Sequence, residues 1–146
     1  EVPLARKAAL SDAAEARKNL DDHFAQFRIA AETDDPEATL RADRDFHSAV
    51  LEMAGNVRAA EVLHEQRNIV LQTGVGTVPT SRSCQECFSD HVDIFDAIMA
   101  REPEAAAAAM RRHIYNTAEI LINQETRRRP EFGDLDLRSR LAWIAT

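Results

Sequence analysis

The chain has 146 residues, a formal net charge of −7, and only 4 Gly and 5 Pro, which suits one domain with its own core. Its richness in Ala, Leu, Glu and Arg favours an all-helical fold. The acidic charge argues against DNA binding by this chain alone, because phosphates are attracted by a basic field. Since we find no signal peptide and no apolar run approaching the roughly 20 residues of a membrane span, we expect a cytoplasmic protein. The chain begins at Glu1 rather than Met, so we expect a piece of a longer protein.

Capping and breaker residues divide the chain into helices. Residues 1–10 look like the end of a helix interrupted by Pro3. Ser11 and Asp12 are predicted to cap the next helix, and Asp35 is predicted to cap another that has Pro36 in its first turn. The predicted helices after residue 10 span 12–32, 36–54, 56–72, 81–101 and 103–129.

Two segments lie outside these helices. Residues 73–81, TGVGTVPTS, are predicted to be a mobile connection, because they lack the lysine and the spacing of a phosphate-binding loop. We expect residues 1–129 to form one helical domain and residues 130–146 to form a tail that could fold as one short amphipathic helix. The apolar residues of that tail helix would be Leu135, Leu137, Leu141 and Trp143.

The two cysteines, Cys84 and Cys87, form a single C-x-x-C motif. A zinc knuckle needs a second pair, and a redox motif would follow a strand, for which there is no signal. We therefore predict that both are reduced packing residues on one helix face.

Ionisable residues fall within the apolar stripes of three predicted helices. Asp43 and His47 lie on one helix face together with Phe46 and Val50, and His91 and His113 fall in the stripes of two later helices. Burying such groups is costly unless they are paired or bind metal. Neighbouring helices of a bundle can build a metal site from such groups, and three His and one Asp suit zinc, nickel or iron.

The same residues allow a simpler interpretation. Each histidine could be a hydrogen-bonded core residue, and Asp43 could pair with an arginine. His23 and His64 are rival ligands that spacing does not exclude.

Two motifs resemble one known family. Residues 43–56, DRDFHSAVLEMAGN, are similar to the D-x-x-x-H motif of the FCD domain, the C-terminal effector-binding domain of FadR-type regulators in the GntR family. Residues 90–114, DHVDIFDAIMAREPEAAAAAMRRHI, resemble its second motif, in which two histidines stand 22 residues apart, as His91 and His113 do. The resemblance covers roughly residues 1–125.

The resemblance implies an antiparallel all-α bundle of six or seven helices. In metal-binding members the matching residues hold one divalent ion, commonly zinc or nickel, which selects Asp43, His47, His91 and His113 and disfavours His23 and His64. The implied effector is a small organic acid whose carboxylate completes the coordination. The family also implies a homodimer and a winged helix-turn-helix domain, absent from this chain, through which operator DNA would be bound.

Two further residues are candidate effector contacts. Arg67 could reach inward as a fork donor to the effector carboxylate, and Thr117, one turn beyond His113, could donate a hydrogen bond; solvated or structural roles compete for both. We expect no enzymatic activity. One alternative is a metal-dependent hydrolase, for which Glu52 and Glu119 are the nearest acidic residues but fall off the stripes. The other is a bundle in which the metal is purely structural.

Overall fold

A computed structural model describes residues 1–72 and 76–129 together with Ser139 and Ala142, and this part of the chain is a helical bundle without strands. The all-helical prediction is confirmed. Six helices are present in the described residues: α1 (Val2–Ala9), α2 (Ala14–Glu32), α3 (Pro36–Met53), α4 (Val57–Gln72), α5 (Cys84–Met99) and α6 (Pro103–Arg128).

Capping explains where most of these helices begin. The Asp35 side chain accepts hydrogen bonds from the backbone N–H groups of Glu37 and Ala38, both at 3.0 Å, so the predicted start of α3 is confirmed. Gly55 follows the end of α3 with φ +70°, a conformation that favours glycine.

Two predicted starts were wrong. Neither Ser11 nor Asp12 caps α2, which begins at Ala14 with Ala13 as an N-cap residue that lacks a side-chain hydrogen bond. The helix α5 begins at Cys84 rather than 81, because Ser83 and Glu86 form a reciprocal capping box there.

The two ends of the described chain bear on other predictions. Pro3 does not interrupt α1, because it lies in the first turn, where a helix lacks partners for its N–H groups in any case. The predicted connection at 73–81 is described only from Gly76 onward, where it forms turns. The predicted tail helix and the boundary at residue 130 lie outside the described residues, apart from Ser139 and Ala142.

The core consists of two kinds of packing. At one side α1 packs on α6 through small residues, including Ala5, Ala8, Ala106 and Ala109, which let the two helices approach closely. At the other side α2 packs on α3 and α5 through an aromatic cluster formed by Phe24, Phe27, Phe46, Phe88 and Phe95.

The aromatic cluster supports the ionisable residues above it. The ring of His91 packs edge-on against Phe27 and Phe46, with centroids 4.9 and 5.3 Å apart. These rings keep water from one side of the imidazole and fix its position. Among the helices that the structure describes, none is long and apolar enough to cross a membrane.

Candidate metal centre

Four buried ionisable side chains from three helices meet at the centre of the bundle. α3 contributes Asp43 and His47, α5 contributes His91, and α6 contributes His113. The Nε2 atoms of His47 and His91 are 3.1 Å apart, and Asp43 Oδ1 lies 3.0 Å from His91 Nε2. The three histidines each offer one ring nitrogen such that all three nitrogens lie within 4.8 Å of one another. The four residues predicted from the sequence are thus brought together.

In two of the histidines, the Nδ1 atom faces away from the centre and contacts a protein oxygen atom. His91 Nδ1 lies 2.7 Å from the backbone carbonyl oxygen of Cys87, and His113 Nδ1 lies 2.8 Å from Asp90 Oδ2. Because a carbonyl and a carboxylate only accept, these contacts assign the proton to Nδ1 in both rings. When these rings are neutral, their Nε2 atoms carry free lone pairs, which is how ligand histidines are usually prepared for metal.

His47 has a different partner behind it. Its Nδ1 atom lies 2.7 Å from Glu1 Oε2, yet the approach is too bent for a hydrogen bond, and both atoms are buried without a hydrogen-bond partner among the described residues. The proximity nevertheless places a carboxylate against the outer nitrogen of this third ring.

A positive charge in the middle would stabilise this arrangement. With its proton on Nδ1, His91 directs the Nε2 lone pair at an Asp43 oxygen 3.0 Å away, where two acceptors repel each other. A cation between these atoms relieves that repulsion. Two nitrogen ligands of one tetrahedral zinc ion are about 3.3 Å apart, close to the 3.1 Å between His47 and His91. The donor set of imidazoles and one carboxylate fits a divalent ion of borderline softness.

A charged network surrounds Asp43. Arg67 Nη1 donates to Asp43 Oδ2 at 2.8 Å, and Arg67 Nη2 donates to Glu1 Oε1 at 3.1 Å. Burial opposes ionisation of Asp43, but its contact with His91 and the charge of Arg67 hold its pKa well below the usual range. Burial likewise opposes ionisation of Glu1, and the nearby His47 and Arg67 outweigh it and lower the pKa of that carboxyl. Both carboxylates are therefore ionised at neutral pH.

Burial favours the neutral form of two of these histidines, His47 and His113. Burial and the charge of Arg67 lower the pKa of His47, although Glu1 and Asp43 oppose this. Burial lowers the pKa of His113 to about 4, despite the opposing hydrogen bond to Asp90. Neutral imidazoles and ionised carboxylates are the protonation states that metal binding requires.

The candidate effector contacts differ in their availability. Arg67 lies beside Asp43 as expected, but its two Nη atoms already bind protein carboxylates. Thr117 lies one turn beyond His113, and its hydroxyl oxygen is buried without a hydrogen-bond partner in the described part of the chain. The rival histidines, His23 and His64, belong to neither potential metal group found among the described residues.

The sequence does not predict the residues behind the proposed ligands. Glu1 is the N-cap residue of α1 and lies outside the apolar stripes, so no periodicity marks it. Asp90 is the first residue of the second motif, and its adjacency to His91 is the available signal, but the sequence does not predict its hydrogen bond to His113. Arg82 and Asn116 hold the same carboxylate, each at 3.3 Å.

The C-x-x-C pair is buried and reduced, as the packing interpretation predicts. Cys87 together with Asp43 and His91 does form a second potential metal group. Burial, however, raises the pKa of the Cys87 thiol to about 12, so this sulfur is protonated, whereas the histidines already offer free lone pairs. The His-rich group is the better prepared of the two.

Fold and site together define an all-helical domain built around a buried candidate metal centre. The FCD domain family matches residues 1–116 of the chain. The chain therefore belongs to the FCD domain family, whose members are regulatory, effector-binding domains. No curated protein matches the chain.

Proposed function

We propose that this chain is the effector-sensing domain of a GntR-type transcription regulator and that it binds a divalent metal and a small organic acid. The metal ligands in this proposal are Asp43, His47, His91 and His113. The observation that carries it is the convergence of ligand atoms from these four buried residues, among which His47 Nε2 and Asp43 Oδ1 lie 3.1 and 3.0 Å from His91 Nε2. Zinc or nickel is the ion that suits such ligands.

The protein side chains around the centre have distinct roles. Cys87, through its carbonyl, and Asp90, through its carboxylate, each hold one imidazole so that Nε2 faces inward. Arg67 fixes Asp43 through Oδ2 and leaves Oδ1 for the centre. Because these orienting contacts are buried or partly buried, the donor atoms are preorganised before any ligand arrives.

The local charge favours an anionic effector once the site is loaded. With neutral imidazoles, the carboxylates of Asp43 and Glu1 and the guanidinium of Arg67 leave this cluster with one net negative charge, which repels organic anions. A bound divalent ion would reverse that sign, and an ion that accepts more ligands than these four residues, as five-coordinate zinc does, could also bind a carboxylate oxygen. The proposed effector class, a small organic acid, follows from this charge.

Thr117 is the proposed hydrogen-bond donor to that effector, since its buried hydroxyl has no partner among the described residues. Arg67 could contribute as a fork donor only if it released Glu1 or Asp43. While both contacts persist, Arg67 influences effector binding only indirectly, because it holds Asp43 in position.

We also propose that the domain senses its ligand without turning it over. The carboxylates near the centre, which belong to Glu1, Asp43 and Asp90, are each engaged by arginine or histidine, so none of these described groups is free to act as a general base. Glu52, a candidate base for the hydrolase alternative, is exposed. Incubating the zinc-loaded protein with small esters and phosphates should give no hydrolysis above that of the His47→Ala, His91→Ala variant; turnover lost in the variant would favour the enzyme.

As the sensing part of a regulator, the domain would act in the cytoplasm as a homodimer and would contact operator DNA only through a winged helix-turn-helix domain that is outside this chain.

Two measurements test the proposal. Elemental mass spectrometry of the purified chain should find one divalent metal per chain, lost in the His47→Ala, His91→Ala variant and retained in the control His64→Ala, which changes an exposed histidine. Thermal unfolding with a panel of organic acids should then show stabilisation that a chelator abolishes, because a ligand of the folded state raises its stability. A metal-free wild type after incubation with zinc and nickel would refute the ligand assignment.

A further inference from the structure

We propose that Glu1 is a positioning residue of the metal centre, which orients His47 from behind and holds Arg67 against Asp43. This inference rests on the proposed function and deepens it, because it assigns to the start of α1 a role in the centre that the metal-ligand motifs on α3, α5 and α6 do not include.

All three histidines of the centre have a protein oxygen atom beside Nδ1. His91 and His113 each have an acceptor oxygen at Nδ1, supplied by Cys87 and Asp90. Glu1 Oε2, at 2.7 Å, is the oxygen that stands at Nδ1 of His47. A small rotation of the carboxylate or the ring would align this contact with the N–H direction. With Glu1 in place, each histidine has a protein oxygen behind it.

The second argument is that Glu1 reaches a second ligand through Arg67. The guanidinium lies between Glu1 Oε1 and Asp43 Oδ2, at 3.1 and 2.8 Å. Removing Glu1 would leave Arg67 with one carboxylate instead of two and free it to rotate away from Asp43. One residue of α1 therefore constrains two of the four proposed ligands, His47 directly and Asp43 through the arginine.

The third argument is burial. The Glu1 side chain is only 9% exposed, and a carboxylate loses much of its hydration at such a place. The ion pair between Glu104 and Arg6 also joins α1 to the rest of the bundle, but it is exposed. The side chains of Glu104 and Arg6 are 75% and 49% exposed, as expected for a contact that only anchors α1. Burying the Glu1 carboxylate beside His47 and Arg67 costs free energy that anchoring α1 would not require. Such a buried contact does, however, restrict the orientation of the proposed ligands.

The test uses Glu1→Ala and Glu1→Gln in the full chain, with Glu104→Gln as the matched control. Zinc affinity is measured by competition with a chromophoric chelator, and the protonation of the His47 ring nitrogens is followed by ¹H–¹⁵N NMR. We expect Glu1→Ala to weaken zinc binding by about 10- to 100-fold, the usual effect of removing such a partner. Glu1→Gln retains an oxygen for His47 but loses its charge at Arg67, so its loss should be smaller.

The NMR signal distinguishes a role of Glu1 in orienting His47 from a role in anchoring α1 only. In the wild type without metal, His47 should carry its proton on Nδ1; in Glu1→Ala it should become a mixture of tautomers while His91 and His113 are unchanged. Glu104→Gln should alter neither measurement.

Zinc affinity within twofold of the wild type together with an unchanged His47 tautomer in Glu1→Ala would overturn the inference, even if the variant melts at a lower temperature. Should Glu1→Ala fail to fold, Glu1→Gln decides by the same two measurements. A wild type that binds no zinc would refute the proposed function instead, and the His47 tautomer in the metal-free proteins would still decide on Glu1.

Discussion

Asp90 accepts a hydrogen bond from His113 across 2.8 Å, and this contact joins α5 to α6 at the edge of the buried centre. The residue that follows Asp90, His91, points into the centre itself. Successive side chains on a helix diverge by about 100°, so this pair of neighbours can supply one ligand and the support of another. The adjacent residues Asp90 and His91 thus supply one proposed ligand and the hydrogen-bond partner of another.

Replacing Asp90 by alanine should therefore weaken metal binding, although Asp90 is not one of the proposed metal ligands. His113 loses the acceptor that fixes its tautomer, and Arg82 loses its carboxylate partner at 3.3 Å. We expect zinc affinity to fall about 10- to 100-fold and the free energy of unfolding to drop by about 1–3 kcal/mol, the usual cost of leaving a buried polar group unpaired. Isothermal titration with zinc and urea denaturation would measure the two effects.

Asp93→Asn is the matched control, because Asp93 also joins α5 to α6, through Arg112, but in an exposed ion pair. Its zinc affinity should equal that of the wild type and its stability should change little, since exposed pairs contribute little. Equal effects of the two substitutions would refute the role of Asp90.

Most of the fold could be predicted from the sequence, because helix signals in this chain are local. Asp35 and Pro36 fix the start of α3, and Gly55 follows its end. The start of α5 was placed three residues early because the reciprocal bond between Ser83 and Glu86 was not recognised as a capping box.

The site was predictable only in part, for a physical reason. Proposed ligands that lie within an apolar stripe, such as His47 and His113, can be recognised by their periodicity. Their outer partners do not, because Glu1 reaches His47 across 46 positions of sequence and the oxygen behind His91 is a backbone carbonyl, which any residue could supply. Contacts of this kind depend on how the helices pack.

Thr117→Val should weaken effector binding while leaving the metal in place. The Thr117 hydroxyl is buried without a partner among the described residues, and a hydrogen bond to a ligand is worth about 0.5–1.5 kcal/mol, so we expect the affinity for a stabilising organic acid to fall roughly 2- to 10-fold. Thermal shift titration with that acid would measure this, and elemental analysis should find unchanged metal. In the control Thr126→Val, the lost hydroxyl donates to the Ile122 carbonyl within α6, so effector affinity should be unaffected. An unaltered affinity in Thr117→Val would remove this residue from the effector site.

The two thiols should be unreactive in the folded protein. Cys84 and Cys87 are both buried, which restricts the access of a reagent. Burial also raises the pKa of Cys87 to about 12, so ionisation does not favour alkylation of that thiol. Iodoacetamide at pH 8 should modify both only after urea unfolds the chain, as mass spectrometry would show. A cobalt-loaded protein should likewise lack the intense near-ultraviolet absorption of a cobalt–thiolate bond. That absorption would mean that Cys87 is a ligand in place of a histidine.

Removing the metal should destabilise the whole bundle and not only the site, because the proposed ligands tie α3, α5 and α6 together. A ligand that binds only the folded state adds about 4 kcal/mol when its free concentration is a thousand times its Kd, so zinc-loaded protein should melt at a clearly higher temperature than protein treated with a chelator. The His47→Ala, His91→Ala variant should melt at one temperature with or without chelator. Melting of the zinc-incubated wild type that is equally insensitive to the chelator would mean that Asp43, His47, His91 and His113 hold no metal, and that the lone pairs at the centre are reconciled by a proton on one imidazole instead.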